Sequence, residues 1–273
     1  MNAGKFLSAG LLAAAAQLCS SCTRQRQPAE PVGPSFKIMT FNINWGGPGA
    51  EVSARAILDS GADIVCLQET NPGWEAYLRP RLELGYPHAL FRHGPGAGGM
   101  AVFSKWPVKE MARATPPAGW FFGWLLEADT PAGKVQILAV HLRPALSERG
   151  GVSPGAYFAT KRTRAEEVRC LHGLLAPGQP AIILGDFNDN DSSSAVQWLV
   201  KQGFTDALGE FDPKTDTWRW PTRLWTFTGR FDHVLYSREL GCCRAQVLKA
   251  GASDHLPVVA VFEKRPAPAP PER

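Results

Sequence analysis

Short apolar runs, each closed by Gly, Pro, Asn or Asp, recur along the chain between residues 36 and 264. Runs rich in Ile, Val and Phe with such boundaries predict β-strands. The clearest are FKIMTFNI, ADIVCLQE, GMAVFS, WFFGWLLEA, KVQILAVHL, AIILGDFN, RFDHVLYS and LPVVAVFE. Apolar residues at helical spacing predict helices over Val52 to Leu58, Trp74 to Leu82, Tyr157 to Leu175 and Ala195 to Lys201. The pattern predicts a mixed α/β fold without internal repeats.

Several predicted strands end in side chains that can carry chemistry. These residues are Asn42, Asn44, Gln68, Glu69, His141, Asp186 and Asn188. In sheets covered by helices, ligands bind at the ends of strands, so we expect these side chains to converge on one cleft.

The stretch ILGDFNDND is the densest of these strand ends. Asp and Asn are common in turns because their side chains bond nearby backbone groups, so a plain loop is one interpretation. A metal or phosphate site is the other, and the stretch alone does not decide between them. Asp189 and Asp191 are predicted to cap the helix through Ala195.

Two further motifs follow: FDHVL, with Asp232, and SDHLPV, with Asp254 and His255. Together with FNIN, LQE, VHL and GDFN they stand in the order found in the endonuclease/exonuclease/phosphatase superfamily, which the chain therefore resembles. That superfamily includes deoxyribonuclease I, exonuclease III, the inositol polyphosphate 5-phosphatases and the bacterial sphingomyelinases. The resemblance spans Phe36 to about Phe262. It implies an α/β fold: a two-sheet α/β sandwich with flanking helices, as in deoxyribonuclease I, with the site between the sheet edges.

The resemblance also implies an active site that hydrolyses phosphoesters. Asp186 would orient or deprotonate the attacking water, and Asn188 would hold a phosphoryl oxygen. Asp232 would fix the tautomer and orientation of His255. The sequence leaves open whether Asp186 or His255 takes the proton.

Such hydrolysis needs negative charge to be neutralised on the phosphoryl oxygens, and a divalent cation can do this. By the resemblance Glu69 is the principal ligand of Mg²⁺ or Mn²⁺, with Asn44 and Asp254 near or in the same shell. His141 would contact phosphate, and Asn42 would brace the centre through hydrogen bonds.

Substrate contacts are predicted from position and residue type. Arg164, near the start of the long helix, could steer an anionic substrate, although a solvated helix face is the alternative. Trp218 and Arg230 flank the stretch before Asp232, which mixes Arg with Trp and is predicted to form the cleft rim. The run WFFGW is predicted to be core rather than a membrane wedge. His233 should point away from Asp232 because side chains alternate along a strand.

Composition limits the partners. The chain has 273 residues, a formal net charge of +4 and an isoelectric point near 8.8. This mild excess favours anionic partners, but dense basic runs are absent from the sequence. We expect a phosphodiester substrate, with nucleic acid slightly favoured over a phospholipid headgroup. A small-molecule phosphatase and an inactive phosphate-binding protein are the alternatives, and no protein partner is inferred.

The termini differ in composition from the body. Residues 1–22 have the layout of a signal peptide, and Cys19 or Cys22 stands where a lipoprotein signal places its lipidated cysteine. Residues 23–35 are predicted to be a flexible linker, 36–264 the folded domain and 265–273 a disordered tail. We therefore expect an exported protein that is periplasmic, anchored to a membrane through its N-terminal lipid, or secreted.

Overall fold

The computed structural model describes residues 25–145, 154–223 and 225–265. The predicted signal peptide, both N-terminal cysteines and nearly all of the predicted tail lie outside these residues. Part of the predicted linker is described, and it contacts the body: Arg26 N donates to Glu210 O at 2.7 Å and Ala29 N to Cys243 O at 2.9 Å.

The described strands, in chain order, are β1 (Ser35–Asn42), β2 (Ile64–Thr70), β3 (His88–Arg92), β4 (Gly99–Ser104), β5 (Val108–Ala114), β6 (Gly123–Thr130), β7 (Gly133–His141), β8 (Ala181–Asp186), β9 (Thr205–Asp206), β10 (Trp218–Pro221), β11 (Thr226–Gly229), β12 (Asp232–Tyr236), β13 (Leu240–Val247) and β14 (Val258–Lys264). The helices are α1 (Ala50–Asp59), α2 (Pro72–Leu82), α3 (Pro154–His172), α4 (Ser194–Lys201) and α5 (Ala207–Phe211). Every helix predicted from the sequence is present, with its ends shifted by a few residues.

Two six-stranded sheets form the fold, in the orders β13-β14-β1-β2-β4-β3 and β5-β6-β7-β8-β12-β9. Each sheet has one parallel pair near its middle, β1 with β2 and β7 with β8. The other ladders are antiparallel. Strands β10 and β11 form a separate hairpin.

Three apolar clusters separate the layers. One lies between the sheets and contains Ile38, Trp124 and Phe262. The second packs the first sheet against α1 and α2, and the third packs the second sheet against α3 and α4. The layers are therefore helix, sheet, sheet, helix, which is the predicted α/β sandwich with flanking helices. In the run WFFGW, Trp124 is fully buried and lies in β6, which begins at Gly123, whereas residues 120–122 precede the strand. The run is therefore part loop and part core.

The loop after β8 is fixed by a buried ion pair. Arg164 on α3 is 0% exposed, and its Nε donates to Asp189 Oδ2 at 2.9 Å. The same guanidinium donates to Thr160 Oγ1 at 2.7 Å and to Tyr157 O at 3.1 Å. The prediction that Arg164 binds substrate is therefore corrected, because its guanidinium is buried and paired with Asp189 and cannot reach a substrate.

The same loop corrects the prediction of helix caps. Ser193, not Asp189 or Asp191, is the N-cap of α4, and its Oγ accepts from Val196 N at 3.2 Å. Asp189 instead pairs with Arg164, and Asp191 pairs with Arg230.

Arg164→Met should lower the free energy of unfolding by about 3–5 kcal/mol, because it leaves the Asp189 carboxylate buried without its cation. Urea denaturation followed by circular dichroism measures the change. Arg162→Met is the matched control: that side chain is 90% exposed and pairs with Glu166 along the helix, so its loss should cost less than about 0.5 kcal/mol. Equal effects in the two variants would contradict a buried structural role for Arg164.

Candidate active site

The predicted site residues meet where the two parallel strand pairs end. Asn42 is the last residue of β1, His141 of β7 and Asp186 of β8. The ladders place His141 beside Asp186, and Asp186 beside Asp232 on the antiparallel strand β12. The carboxyl end of the central pair in one sheet therefore faces that of the other.

One buried amide joins the two sheets at this point. Asn42 Nδ2 donates to Glu69 Oε1 at 2.9 Å, in its own sheet, and to Asp186 Oδ2 at 3.0 Å, in the opposite sheet. Its Oδ1 accepts from Asn44 N at 3.0 Å. Every polar atom of the Asn42 side chain is thus used to hold groups of the site.

The backbone is strained at the site. Among the described residues, the non-glycine residues with positive φ are Asn44 at 60°, Glu69 at 63° and Asn188 at 50°. Each such residue costs of order 1–3 kcal/mol and persists only where its surroundings enforce it. All three had been predicted from the sequence as site residues.

A β-bulge causes the strain at Glu69. The register between β2 and β4 shifts between Gln68 and Thr70, which leaves Glu69 as the extra residue. Gly99 lies opposite the bulge, where an added Cβ would stand 2.0 Å from Thr70 O, so only glycine fits. Trp45 N then donates to Glu69 Oε2 at 3.1 Å and fixes the carboxylate.

A histidine lies between two carboxylates. His255 Nδ1 is 2.8 Å from Asp232 Oδ2, and its Nε2 is 3.6 Å from Asp186 Oδ2. Burial alone would lower the pKa of His255, but the charges of Asp232 and Asp186 outweigh it and raise the pKa to about 10. At neutral pH this side chain is an imidazolium.

Asp186 lies at the centre of the cluster. Its Oδ1 accepts from Asn188 N at 2.8 Å, and its Oδ2 is 3.6 Å from His141 Nε2. Burial raises the pKa of Asp186, although the charge of His255 opposes the shift. The carboxylate is thus a stronger base than an exposed aspartate.

His141 is the second imidazole of the cluster. Its Nε2 is 3.9 Å from Glu69 Oε1, and its ring stacks on Phe121 at a centroid distance of 4.2 Å. Burial lowers its pKa, so it is neutral where His255 is charged. The predicted phosphate ligand Asn188 lies nearby, its Nδ2 donating to Leu142 O at 3.0 Å.

Oxygen ligands suited to a hard cation gather around Glu69. Asn44 Nδ2 donates to Asp254 Oδ1 at 3.0 Å, and its Oδ1 accepts a long hydrogen bond from Gly46 N at 3.3 Å. Burial raises the pKa of Glu69, although the hydrogen bonds from Asn42 and Trp45 and the charge of His255 oppose the shift. Two partly buried acidic groups placed together in this way fit a divalent cation, which would offset their negative charge.

A second group of candidate ligands overlaps the first. Ligand atoms of Asp186, Asp232 and His255 lie within 4.8 Å of one another. His255 Nδ1 is already bonded to Asp232 Oδ2, which occupies one ring nitrogen and one carboxylate oxygen of this group. The set of Glu69, Asn44 and Asp254 offers only oxygen ligands, which a hard cation such as Mg²⁺ prefers, and therefore fits that cation better.

Of the three residues predicted to contact substrate, one lies at the site and two are paired elsewhere in the protein. Trp218 lies at the site, where its Nε1 donates to Asp254 Oδ2 at 3.2 Å. Arg230 is only 5% exposed and its Nη2 is 2.5 Å from Asp191 Oδ2, so the prediction that it contacts substrate is corrected, as for Arg164. Arg164 and Arg230 are close to site residues in the sequence, but their side chains pair with Asp189 and Asp191 and hold the loop after β8.

Sequence reasoning missed two contributors and was right about a third residue. Phe121, which covers His141, and Tyr157, whose hydroxyl donates to Asp189 Oδ1 at 2.6 Å, carry no motif that could have identified them. His233 points away from Asp232, as predicted, with its Nδ1 3.1 Å from Asp206 Oδ2.

Comparison with protein families identifies the family to which the chain belongs. The model of the endonuclease/exonuclease/phosphatase family matches residues 39–255, and the chain belongs to this family of phosphoester hydrolases. Comparison with curated protein sequences found no significant match.

Solved structures support the fold. An endonuclease/exonuclease/phosphatase from Beutenbergia cavernae DSM 12333 has a TM-score of 0.66 at 22% identity, over 85% of this chain and 72% of that one. Truncated Caenorhabditis elegans TDP2 gives 0.63 at 19% identity, over 84% and 98%. The human Nocturnin catalytic domain gives 0.61 at 21% identity, over 86% and 97%. The predicted deoxyribonuclease I-like sandwich is confirmed.

The charge of His255 can be measured directly. In metal-free protein, ¹⁵N-detected NMR should show a doubly protonated His255 ring up to about pH 9, with a pKa near 10. Asp232→Asn should lower that pKa, because it removes the larger of the two stabilising charges. A His255 ring that loses its proton between pH 6 and 7 in the unsubstituted protein would contradict the geometry.

Proposed function

We propose that the protein is an exported, divalent-metal-dependent hydrolase of phosphodiester bonds. The observation that carries the proposal is the meeting of Glu69, Asp186 and His255 around the amide of Asn42, within a chain of the endonuclease/exonuclease/phosphatase family. An inactive binding protein would not need this complete set of acid, base and bracing groups.

Glu69, Asn44 and Asp254 would hold the cation, with Mg²⁺ as the expected ion and Mn²⁺ as a substitute. A bound cation of this kind would supply charge neutralisation at the phosphoryl oxygens. The hydrogen bonds from Asn42 and Trp45 to the two oxygens of Glu69 orient its carboxylate in advance.

Asp186 is assigned as the general base. A water oxygen attacks phosphorus, and one proton of that water passes to Asp186 Oδ2. The bond from phosphorus to the leaving oxygen breaks, and the leaving oxygen keeps the electron pair and takes a proton from solvent. Asp186 suits this role because burial raises its pKa above that of an exposed aspartate and so makes it a stronger base. His255 is less suited, because its pKa of about 10 keeps the proton on the ring at neutral pH.

His255 instead supplies positive charge. Its imidazolium Nε2–H can donate to a phosphoryl oxygen as negative charge builds up there, while Asp232 holds Nδ1. The neutral His141 and the amide of Asn188 provide further donors on the other side of Asp186.

For the substrate, nucleic acid is favoured slightly over a phospholipid headgroup, and a small phosphorylated molecule is a third candidate. The mild positive charge of the chain supports an anionic polymer. Among the solved neighbours, one is described as an AP endonuclease from Archaeoglobus fulgidus. No protein partner is proposed.

Export rests on the sequence of residues 1–22. We place the protein in the periplasm, on a membrane through a lipidated Cys19 or Cys22, or outside the cell. Among the described helices, none has the length and hydrophobicity needed to cross a membrane.

The purified protein should hydrolyse bis(4-nitrophenyl) phosphate with Mg²⁺ or Mn²⁺ and stop when the metal is chelated. Asp186→Asn and His255→Ala should each reduce turnover by roughly 10²- to 10⁴-fold, since each removes one acid–base or charge-stabilising group. Release of 4-nitrophenolate measures the rate.

His88→Gln is the matched control. His88 pairs with Ser104 of β4, and Ser104 in turn pairs with Ile64, the first residue of β2. Glu69 lies near the opposite end of β2, so replacement of His88 should leave turnover unchanged. Full activity in EDTA, or in both site variants, would remove the proposed mechanism.

A further inference from the structure

Four aromatic rings form a continuous row beside the candidate site. Tyr157 and Phe231 have centroids 6.5 Å apart and planes 20° apart. Phe231 and Trp218 are separated by 4.9 Å and 24°, and Trp218 and Trp220 by 6.4 Å and 22°. We name these four residues the aromatic strip. Each ring lies within 24° of parallel to its neighbour in the row.

The strip is open to solvent at its outer end. In the hairpin, Trp220 pairs with Phe227 and Trp218 with Gly229, so these side chains share one face. Trp220 is 48% exposed and Phe227 is 55% exposed. A Cβ at position 229 would stand 2.7 Å from the Phe231 ring, so the glycine admits that ring to the row.

The inner part of the strip contacts the site. Trp218 donates to Asp254, and Phe231 immediately precedes Asp232 on the chain. Arg219 N also donates to Asp254 O at 3.0 Å, which ties the hairpin backbone to the loop carrying His255. A polymer lying along the strip would therefore enter the cluster of Asp186 and His255.

Cations accompany the rings. Lys161 Nζ is 5.2 Å from the centroid of the Tyr157 ring and 5.3 Å from that of Phe158. Arg223 is exposed in the turn of the hairpin, at the other end of the strip. Positive groups at both ends of an aromatic row suit a ligand that alternates flat rings with negative charges.

We propose that the aromatic strip binds unpaired bases of a single-stranded nucleic acid; the proposal rests on the proposed phosphodiesterase function and names its substrate class. Bases within a duplex already stack on one another, so their faces are not available to the strip. Base–aromatic stacking tolerates any sequence because every base has a π-face. A lipid surface would use the exposed apolar area but would not require near-parallel rings.

The test compares two labelled oligonucleotides of equal charge in EDTA, where cleavage is prevented. One is a twelve-residue oligothymidylate, and the other is the same backbone with abasic residues. Fluorescence anisotropy at fixed ionic strength should show tighter binding of the oligothymidylate, because only it offers bases to the rings. Equal affinity for the two would overturn the proposal.

Substitutions at Trp220 separate stacking from apolar contact. Trp220→Leu should weaken oligothymidylate binding by roughly 5- to 100-fold and abolish the preference over the abasic strand. Trp220→Phe, which keeps a ring, should retain most of the preference. Leu84→Ser is the matched control, because Leu84 is an exposed apolar residue away from the strip. Unfolding midpoints establish that each variant is folded.

Two outcomes contradict the proposal in different ways. If Trp220→Leu binds oligothymidylate as well as the unsubstituted protein does, the strip does not bind bases. If the protein instead sediments with phosphatidylglycerol vesicles, shows no preference for bases, and loses vesicle binding in Trp220→Leu, the strip is a lipid contact. Neither result depends on hydrolysis of bis(4-nitrophenyl) phosphate, so failure of the strip and failure of the proposed function are distinguished.

Discussion

The amide of Asn42 is the interaction on which the site depends. Two sheets packed face to face are held mainly by apolar contacts, which fix their separation but are not directional. The two hydrogen bonds from Asn42 Nδ2 to Glu69 and Asp186 are directional, and they set the relative position of acids from opposite sheets. Because the amide is uncharged, it can hold two carboxylates together without being titrated.

The topology explains why these groups meet. Each sheet contains one parallel pair, and parallel strands bring their carboxyl ends to the same edge. The site is therefore assembled from the ends of β1, β2, β7 and β8, and the antiparallel β12 adds Asp232 beside Asp186. The strain at Asn44, Glu69 and Asn188 is the local cost of turning side chains inward at these ends.

Electrostatics gives the site its chemistry. Buried acids raise one another's pKa, and here the imidazolium of His255 offsets part of that charge. The remaining acidic character lies around Glu69 and Asp254, where a divalent cation fits. His255 is charged and His141 is neutral, although both lie next to the carboxylate of Asp186. The difference arises because Asp232 bonds to His255 and not to His141.

Much of this was predictable from sequence because site residues stand at strand ends, and strand ends are visible as the points where apolar runs stop. The order of the motifs supplied the fold. The roles of Arg164 and Arg230 were not predictable, since sequence position cannot show whether an arginine turns outward or pairs with Asp189 or Asp191. Strand β13 was also missed, because LGCCRAQV lacks a clear apolar alternation.

Turnover of bis(4-nitrophenyl) phosphate by Asn42→Ala at saturating Mg²⁺ is the most direct test of the role of the Asn42 amide. Loss of the amide should allow Glu69 and Asp186 to move apart, and displacements of about 1 Å can cost 10²-fold in rate. We therefore predict at least a roughly 10²-fold loss, whereas Thr40→Val, which removes a buried hydroxyl earlier on the same strand, should retain activity. Turnover of a folded Asn42→Ala protein equal to that of the unsubstituted protein would contradict the account.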